Sequence, residues 1–131
     1  MRIIAGLAKG KNLFSPSDKT RPTSDRAREG LFSSLESEFG SMADLDFLDL
    51  YSGSGAVGVE ALSRGAHKVV SVEQHSATAE VARKNFELVK GCERIFEVLA
   101  QDAEKFVSAP TNNNFDIIFI DPPYEVSNKI I

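Results

Sequence analysis

The chain has 131 residues, 42% of them hydrophobic, and a formal net charge of −4. That length supports one domain with a real core, and no apolar run approaches the length needed to span a bilayer, so no membrane partner is expected. Cys92 is the single cysteine and the histidines are His67 and His75, which excludes an internal disulfide and argues against a Cys/His zinc site; no metal is expected.

The charge is unevenly placed. Residues 1–30 hold seven Lys/Arg against three Asp/Glu, whereas the rest of the chain is strongly acidic. A basic arm on an acidic body suits a protein that touches phosphate at one end. The first ten residues contain no long apolar stretch, so no secretory leader is expected and a reducing cytoplasm is the simplest setting.

In chain order, Arg2–Ala5 and Lys11–Phe14 flank Gly6–Gly10 and predict a short β-hairpin. Pro16, Ser17 and Pro22 predict a loop. Ser24 and Asp25 can cap a helix to about Phe39, with Ala27, Leu31, Leu35 and Phe39 on one face. Gly30 weakens it slightly. After a linker from Gly40 to Asp44, strands and helices alternate. Strands are expected at Phe47–Tyr51, Lys68–Glu73, Ile95–Leu99 and Phe115–Asp121. Helices are expected at Ala56–Arg64, from a Ser76 cap to Lys90, and at Ala103–Ser108, with a polar loop at Thr111–Asn114. This order predicts a parallel α/β sheet. The division expected is an N-terminal hairpin and helix over 1–40 and a Rossmann-like sheet domain over 41–131.

The segment from Asp49 to Gly58 follows a strand and opens a helix. Gly53, Gly55 and Gly58 fit G-x-G-x-x-G, in which the first two permit a tight turn and close backbone approach to a ligand. Gly58 lets the helix pack on the strand. Asp49 stands four residues before Gly53. An acid there repels pyrophosphate but suits a ligand with an amino or sulfonium cation. Glu73, ending the second strand, can accept hydrogen bonds from ribose hydroxyls. Asp102 could accept from an adenine amino group, or simply cap the helix from Ala103.

Asp121-Pro122-Pro123-Tyr124 closes the last strand. Two prolines stiffen the turn and remove two N–H donors. The Asp121 carboxylate and Pro122 carbonyl then stand as paired acceptors for an exocyclic amino group. Holding both its N–H groups aims the nitrogen lone pair at an electrophile. Tyr124 offers a face on which a flipped-out base can stack.

Asp-Pro-Pro-Tyr is the signature of amino-methyltransferases acting on nucleobases, and with the glycine loop the chain resembles a class I methyltransferase. Arg2-Ile3-Ile4-Ala5-Gly6, Arg21-Pro22-Thr23-Ser24-Asp25-Arg26-Ala27-Arg28-Glu29, Phe47 through Gly58 and Glu60 through Ala66 together resemble the bacterial small-subunit ribosomal RNA methyltransferase D family. Asn85 also matches that family's pattern. The resemblance implies methylation of the N2 amine of a guanine in 16S ribosomal RNA. It implies S-adenosyl-L-methionine held by Asp49, Ser52, Gly53, Gly55, Glu73 and Asp102. It implies catalysis by Asp121, Pro122 and Tyr124, and contacts to ribosomal RNA, or to a small-subunit assembly particle, through Arg2, Lys11, Arg21, Thr23 and Arg26. Gly30 departs from the family's helix-forming residue. The family also continues past the Asp-Pro-Pro-Tyr turn into three more strands. This sequence is therefore expected to carry the first four strands and to leave an apolar fourth-strand edge, which a homodimer could cover.

Other readings compete. A DNA adenine or cytosine amino-methyltransferase would share Asp121–Tyr124 but not Arg2–Gly6 or Arg21–Glu29. An inactive fragment would bind the cofactor alone. A nicotinamide-dependent oxidoreductase is disfavoured by Asp49 and by the Asp-Pro-Pro-Tyr turn.

Overall fold

The computed structural model describes residues 1–15, 24–91, 95–109 and 114–122. The loop expected at Pro16, Ser17 and Pro22, the RNA candidates Arg21 and Thr23, Cys92, the loop residues 111–113, and Pro123 and Tyr124 lie outside them.

The elements alternate as expected: α1 (Asp25–Phe39), β1 (Asp46–Asp49), α2 (Ala56–Ser63), β2 (Lys68–Glu73), α3 (Ser76–Phe86), β3 (Ile95–Ala100), α4 (Ala103–Ser108) and β4 (Ile117–Phe119). The four strands form one parallel sheet in the order β3-β2-β1-β4. From β1 the chain adds β2 and then β3 on one side, and later returns to add β4 on the other. The order therefore reverses between β1 and β4, and a crevice for ligands opens at the carboxyl ends of strands at such a reversal. Asp49 ends β1 and Asp121 follows β4 by two residues, so both stand at that end.

One face of the sheet packs Phe47, Val69 and Val98 against α2, α3 and residues from the N-terminal segment, including Ile3, Ala8 and Leu13. The other face buries Leu48, Leu50, Val70 and Val72 with Ala103 of α4. No helix among the described residues is long and apolar enough to cross a membrane.

Several boundaries differ from the sequence expectation. β1 stops at Asp49 rather than Tyr51, because the chain turns into the glycine loop; Leu50 and Ser52 still donate to Phe119 and Val72 at 3.1 and 3.0 Å. α3 ends at Phe86 rather than Lys90, and its cap is His75 rather than Ser76. β4 is confined to Ile117–Phe119 rather than Phe115–Asp121, and at this sheet edge Ile118 and Ile120 are 52% and 60% exposed. The N-terminal hairpin forms around one antiparallel bridge, Arg2 to Asn12, with Ile3 N–H donating to Lys11 O at 2.9 Å, Gly10 N–H to Ile3 O at 2.8 Å and Leu13 N–H to Met1 O at 2.9 Å. Its first arm and turn also bond to α2. Glu60 accepts from the Ile4 and Ala5 N–H groups at 3.0 and 3.1 Å, and Ser63 Oγ accepts from Ala8 at 3.0 Å.

α1 spans the expected residues with the expected Ser24 cap, which accepts from Ala27 N–H at 3.1 Å. Its buried face is different. Arg28 and Phe32 are buried, Leu31 and Leu35 partly so, while Ala27 and Phe39 are exposed. The helix is rotated so that Arg28 can reach Glu60 at 3.1 Å and Asp25 at 2.5 Å. Phe32 stacks on Phe47 at 6.1 Å between ring centroids and carries the Arg64 guanidinium 5.1 Å from its own centroid. Arg64 in turn donates to Glu60 at 2.8 Å and to Glu36 at 2.5 Å.

Removing Glu60 breaks a fully buried ion pair and leaves Arg28 only the partly exposed Asp25; breaking a buried pair costs about 3–5 kcal/mol. Glu60→Ala is expected to lose stability in that range in urea unfolding, because Arg28 is wholly buried. A loss under half a kcal/mol would show that the network is not holding α1 to α2.

Candidate functional site

The site is built from three strand ends and the loop between β1 and α2. Gly53 and Gly55 take positive φ values of 53° and 81°, which coil the loop tightly over the end of β1. A side chain at Gly58 would lie 2.9 Å from both the Phe86 ring and Ser71 Oγ, so glycine lets α2 sit directly on β2 and α3. Glu73 holds the loop from β2. Its Oε1 accepts from Gly53 N–H at 2.9 Å and its Oε2 from His75 N–H at 2.9 Å. Each oxygen keeps a lone pair for a further donor. The sequence offers Glu73 as a candidate for ribose hydroxyls but not as the clamp of the loop, a contact across 20 residues that no local pattern announces.

Asp49 is 1% exposed, and its Oδ1 has no hydrogen-bond partner. Ser52 Oγ and Ser71 Oγ are also buried without partners, and Ser71 is the β2 residue in register with Asp49. Ser71 Oγ lies against Gly58 of α2, whereas Asp49 and Ser52 belong to the turn at the end of β1. Buried polar atoms are normally satisfied, so the unpaired Asp49 and Ser52 oxygens mark a place where a polar ligand or ordered water can complete the structure. Burial pushes the Asp49 carboxyl up to about 7; the Tyr51 backbone hydrogen bond opposes this, and the negative charges of Asp121 and Glu73 add to it. Asp49, Glu73 and Asp121 thus face one another electrostatically, and none has an ion pair among the described residues.

The other expected residues are dispersed around this cluster. Asp102 caps α4, accepting from Glu104 and Lys105 N–H at 2.7 and 3.3 Å through Oδ1. It also lines a cavity of about 130 Å³ with Tyr51, Gln74, Ala103 and Glu104, so the cap and the ligand wall are not exclusive roles. Asp121 is exposed and Pro122 half-buried. Arg2, Lys11 and Arg26 are all exposed on the N-terminal side, with Lys11 Nζ donating to Leu88 O at 2.9 Å. Arg2, Lys9 and Arg26 line a groove of about 330 Å³ that also includes Asp25 and Glu29. Among the described residues no cluster of three or more His, Cys, Asp or Glu side chains could hold a metal ion.

A family model described as conserved hypothetical protein 95 matches residues 1–131. A ribosomal RNA small subunit methyltransferase D from Haemophilus influenzae is 39% identical over 126 residues, covering 95% of this chain and 64% of that protein. The chain belongs to the family of that model, which spans its whole length. The Escherichia coli protein of the same name is 37% identical over 125 residues, 95% of this chain and 60% of its own length. An Escherichia coli structure described as a methyltransferase superposes with a TM-score of 0.80 at 34% identity, covering 97% of this chain and 66% of that one. The chain thus spans 60% to 66% of the length of these three relatives. As in the methyltransferase D family, the fold is that of a class I methyltransferase, and family and fold together imply a methyl donor.

The raised Asp49 carboxyl has a consequence for stability. Between its ordinary value of 3.8 and about 7, the folded protein keeps a proton that the unfolded chain has released. Stability is therefore lost as pH rises through that window, by about 4 kcal/mol, and is level above it. Asp49→Asn is expected to be more stable than the parent at pH 8, with the gain vanishing below pH ~4. Equal unfolding free energies at pH 8 would mean that Asp49 is ionised and satisfied in the fold.

Proposed function

We propose that this chain binds S-adenosylmethionine at the carboxyl ends of β1 and β2, and that it serves methylation of the exocyclic N2 amine of a guanine in 16S ribosomal RNA. The observation that carries the reading is Asp49, buried with an unpaired oxygen and facing two further carboxylates. Such a cluster destabilises the free protein and is relieved by a ligand cation. S-adenosylmethionine has an ammonium and a sulfonium, whereas a pyrophosphate would be repelled. The residues present fit it: the open turn at Gly53 and Gly55 leaves backbone free to approach, the orphan Ser52 hydroxyl can pair, Glu73 has lone pairs for ribose hydroxyls, and the cavity beside Asp102 suits the adenine.

When bound, S-adenosylmethionine supplies an electrophilic methyl group. The work of this chain's residues is to present the amine. Asp121 and the Pro122 carbonyl accept its two N–H groups and so direct the lone pair, and Asp121 favours loss of the proton as the nitrogen becomes positive. Tyr124 supplies the stacking face suggested by its place in the motif. Arg2, Lys11 and Arg26, with Arg21 and Thr23, supply the RNA contacts. The relatives named for ribosomal RNA methylation support this substrate over DNA. A second reading, in which the chain holds the donor without completing transfer, is separated from the first by measuring both binding and incorporation.

Calorimetric titration with S-adenosylmethionine is expected to show one site, lost or weakened at least about tenfold in Asp49→Asn; a folded protein that takes up no heat sinks both readings. In methyl incorporation into 16S ribosomal RNA, Asp121→Ala is expected to slow transfer at least ~100-fold with donor affinity nearly unchanged. Equal loss of both would assign the turn to donor binding or to the fold. Donor binding without incorporation by the unmutated chain would leave the second reading.

A further inference from the structure

Asn85 stands near the end of α3 and is 0% exposed. Asparagine is a poor helix-interior residue, and a buried amide is tolerated when each of its groups is paired. Here they are. Nδ2 donates to Phe14 O at 3.0 Å and to Ser54 O at 2.8 Å, while Oδ1 accepts from Phe14 N–H at 2.7 Å. Ser54 lies in the glycine loop. Phe14 lies in the N-terminal segment, three residues after Lys11, whose ammonium is bonded to Leu88 just beyond α3. One planar amide therefore joins the loop to the basic segment.

The geometry is directional. The two N–H donors of one nitrogen are fixed at a set angle, so the carbonyl of Ser54 is held well only while Phe14 holds the amide plane. The loop next to Ser54 has little slack: Gly55 would bring a side chain within 3.1 Å of Ala82 Cβ on α3, and Gly53 is tied to Glu73 at 2.9 Å. Phe14 itself is exposed at its ring, so the segment is pinned by its backbone and remains accessible to a partner.

We propose that Asn85 is a positioning residue that couples the N-terminal segment to the glycine loop, so that RNA seated on residues 11–14 tightens the loop's hold on the methyl donor. This rests on the function proposed above. By linkage the coupling runs both ways: donor binding strengthens the grip on RNA by the same factor.

The test uses amide hydrogen exchange at Gly53 and Gly55 in the ligand-free chain, with the β2 residues Val70 and Val72 as internal reference, followed by S-adenosylmethionine titration. Phe14→Pro removes the N–H that Asn85 accepts, while Phe14→Ala keeps it. Phe14→Pro is expected to speed loop exchange about tenfold relative to β2 and to weaken donor binding by several-fold, whereas Phe14→Ala matches the parent. Asn85→Asp, which turns an acceptor toward two carbonyls, is expected to act in the same direction as Phe14→Pro. Loop exchange unchanged in Phe14→Pro, or raised equally in Phe14→Ala, overturns the proposal. Should Asn85→Asp not fold, the Phe14 pair decides alone. If the parent takes up no S-adenosylmethionine, the function proposed above falls while the exchange comparison still decides the coupling.

Discussion

The structure depends on one buried carboxylate. Glu60 sits in α2, a helix whose every residue is buried, and it accepts from the Ile4 and Ala5 backbones, from Arg28 of α1 and from Arg64. A charge so placed is tolerable only when it is fully paired. The requirement binds three separate stretches of chain to one helix. Residues 1–14 cannot lift away without stripping donors from Glu60, and α1 cannot rotate its more apolar stripe inward without withdrawing Arg28. The basic end is thus seated against the sheet domain's core, sharing it through Ile3, Ala8 and Leu13.

That anchoring bears on the site because α2 is the helix the glycine loop opens. The loop is gripped at Gly53 by Glu73, at Ser54 by Asn85 and beneath Gly55 by α3. Held in this way, its backbone needs little reorganisation to receive a ligand, and preorganisation lowers the entropic cost of binding. Asp49 works in the opposite sense. Its carboxyl is kept dry next to two other acids, a placement that weakens the fold as pH rises. Rigidity around the loop and strain beneath it are complementary: the first prevents the second from being relieved by movement.

Much of this was legible in the sequence. The alternation of strands and helices, the parallel sheet, the Ser24 cap, β2 and α4 to the residue, and the glycine turn all follow from period, turn chemistry and steric freedom within a few neighbouring residues. Asp49 and Glu73 were visible as acids at strand ends. The signal for Glu60 was present but went unread: one acid inside the otherwise apolar Ala56–Ser63 is a demand for buried partners.

What tertiary structure alone decided is where those partners come from. Arg28 reaches Glu60 across 32 residues, Asn85 reaches Phe14 across 71, and Asp46 N–H reaches Asp116 across 70. Those pairings turned α1 onto its Arg28–Phe32 face and seated the N-terminal segment against α2 and α3. Burial at the end of β1, also a product of folding, raises the Asp49 carboxyl to about 7, so that near pH 7 it is protonated about half the time. Sequence by itself determined the order of elements and the residue types at the turns, because those are local properties of the backbone. Burial and pairing are properties of surfaces that meet only after folding, and at this site they assign the charges.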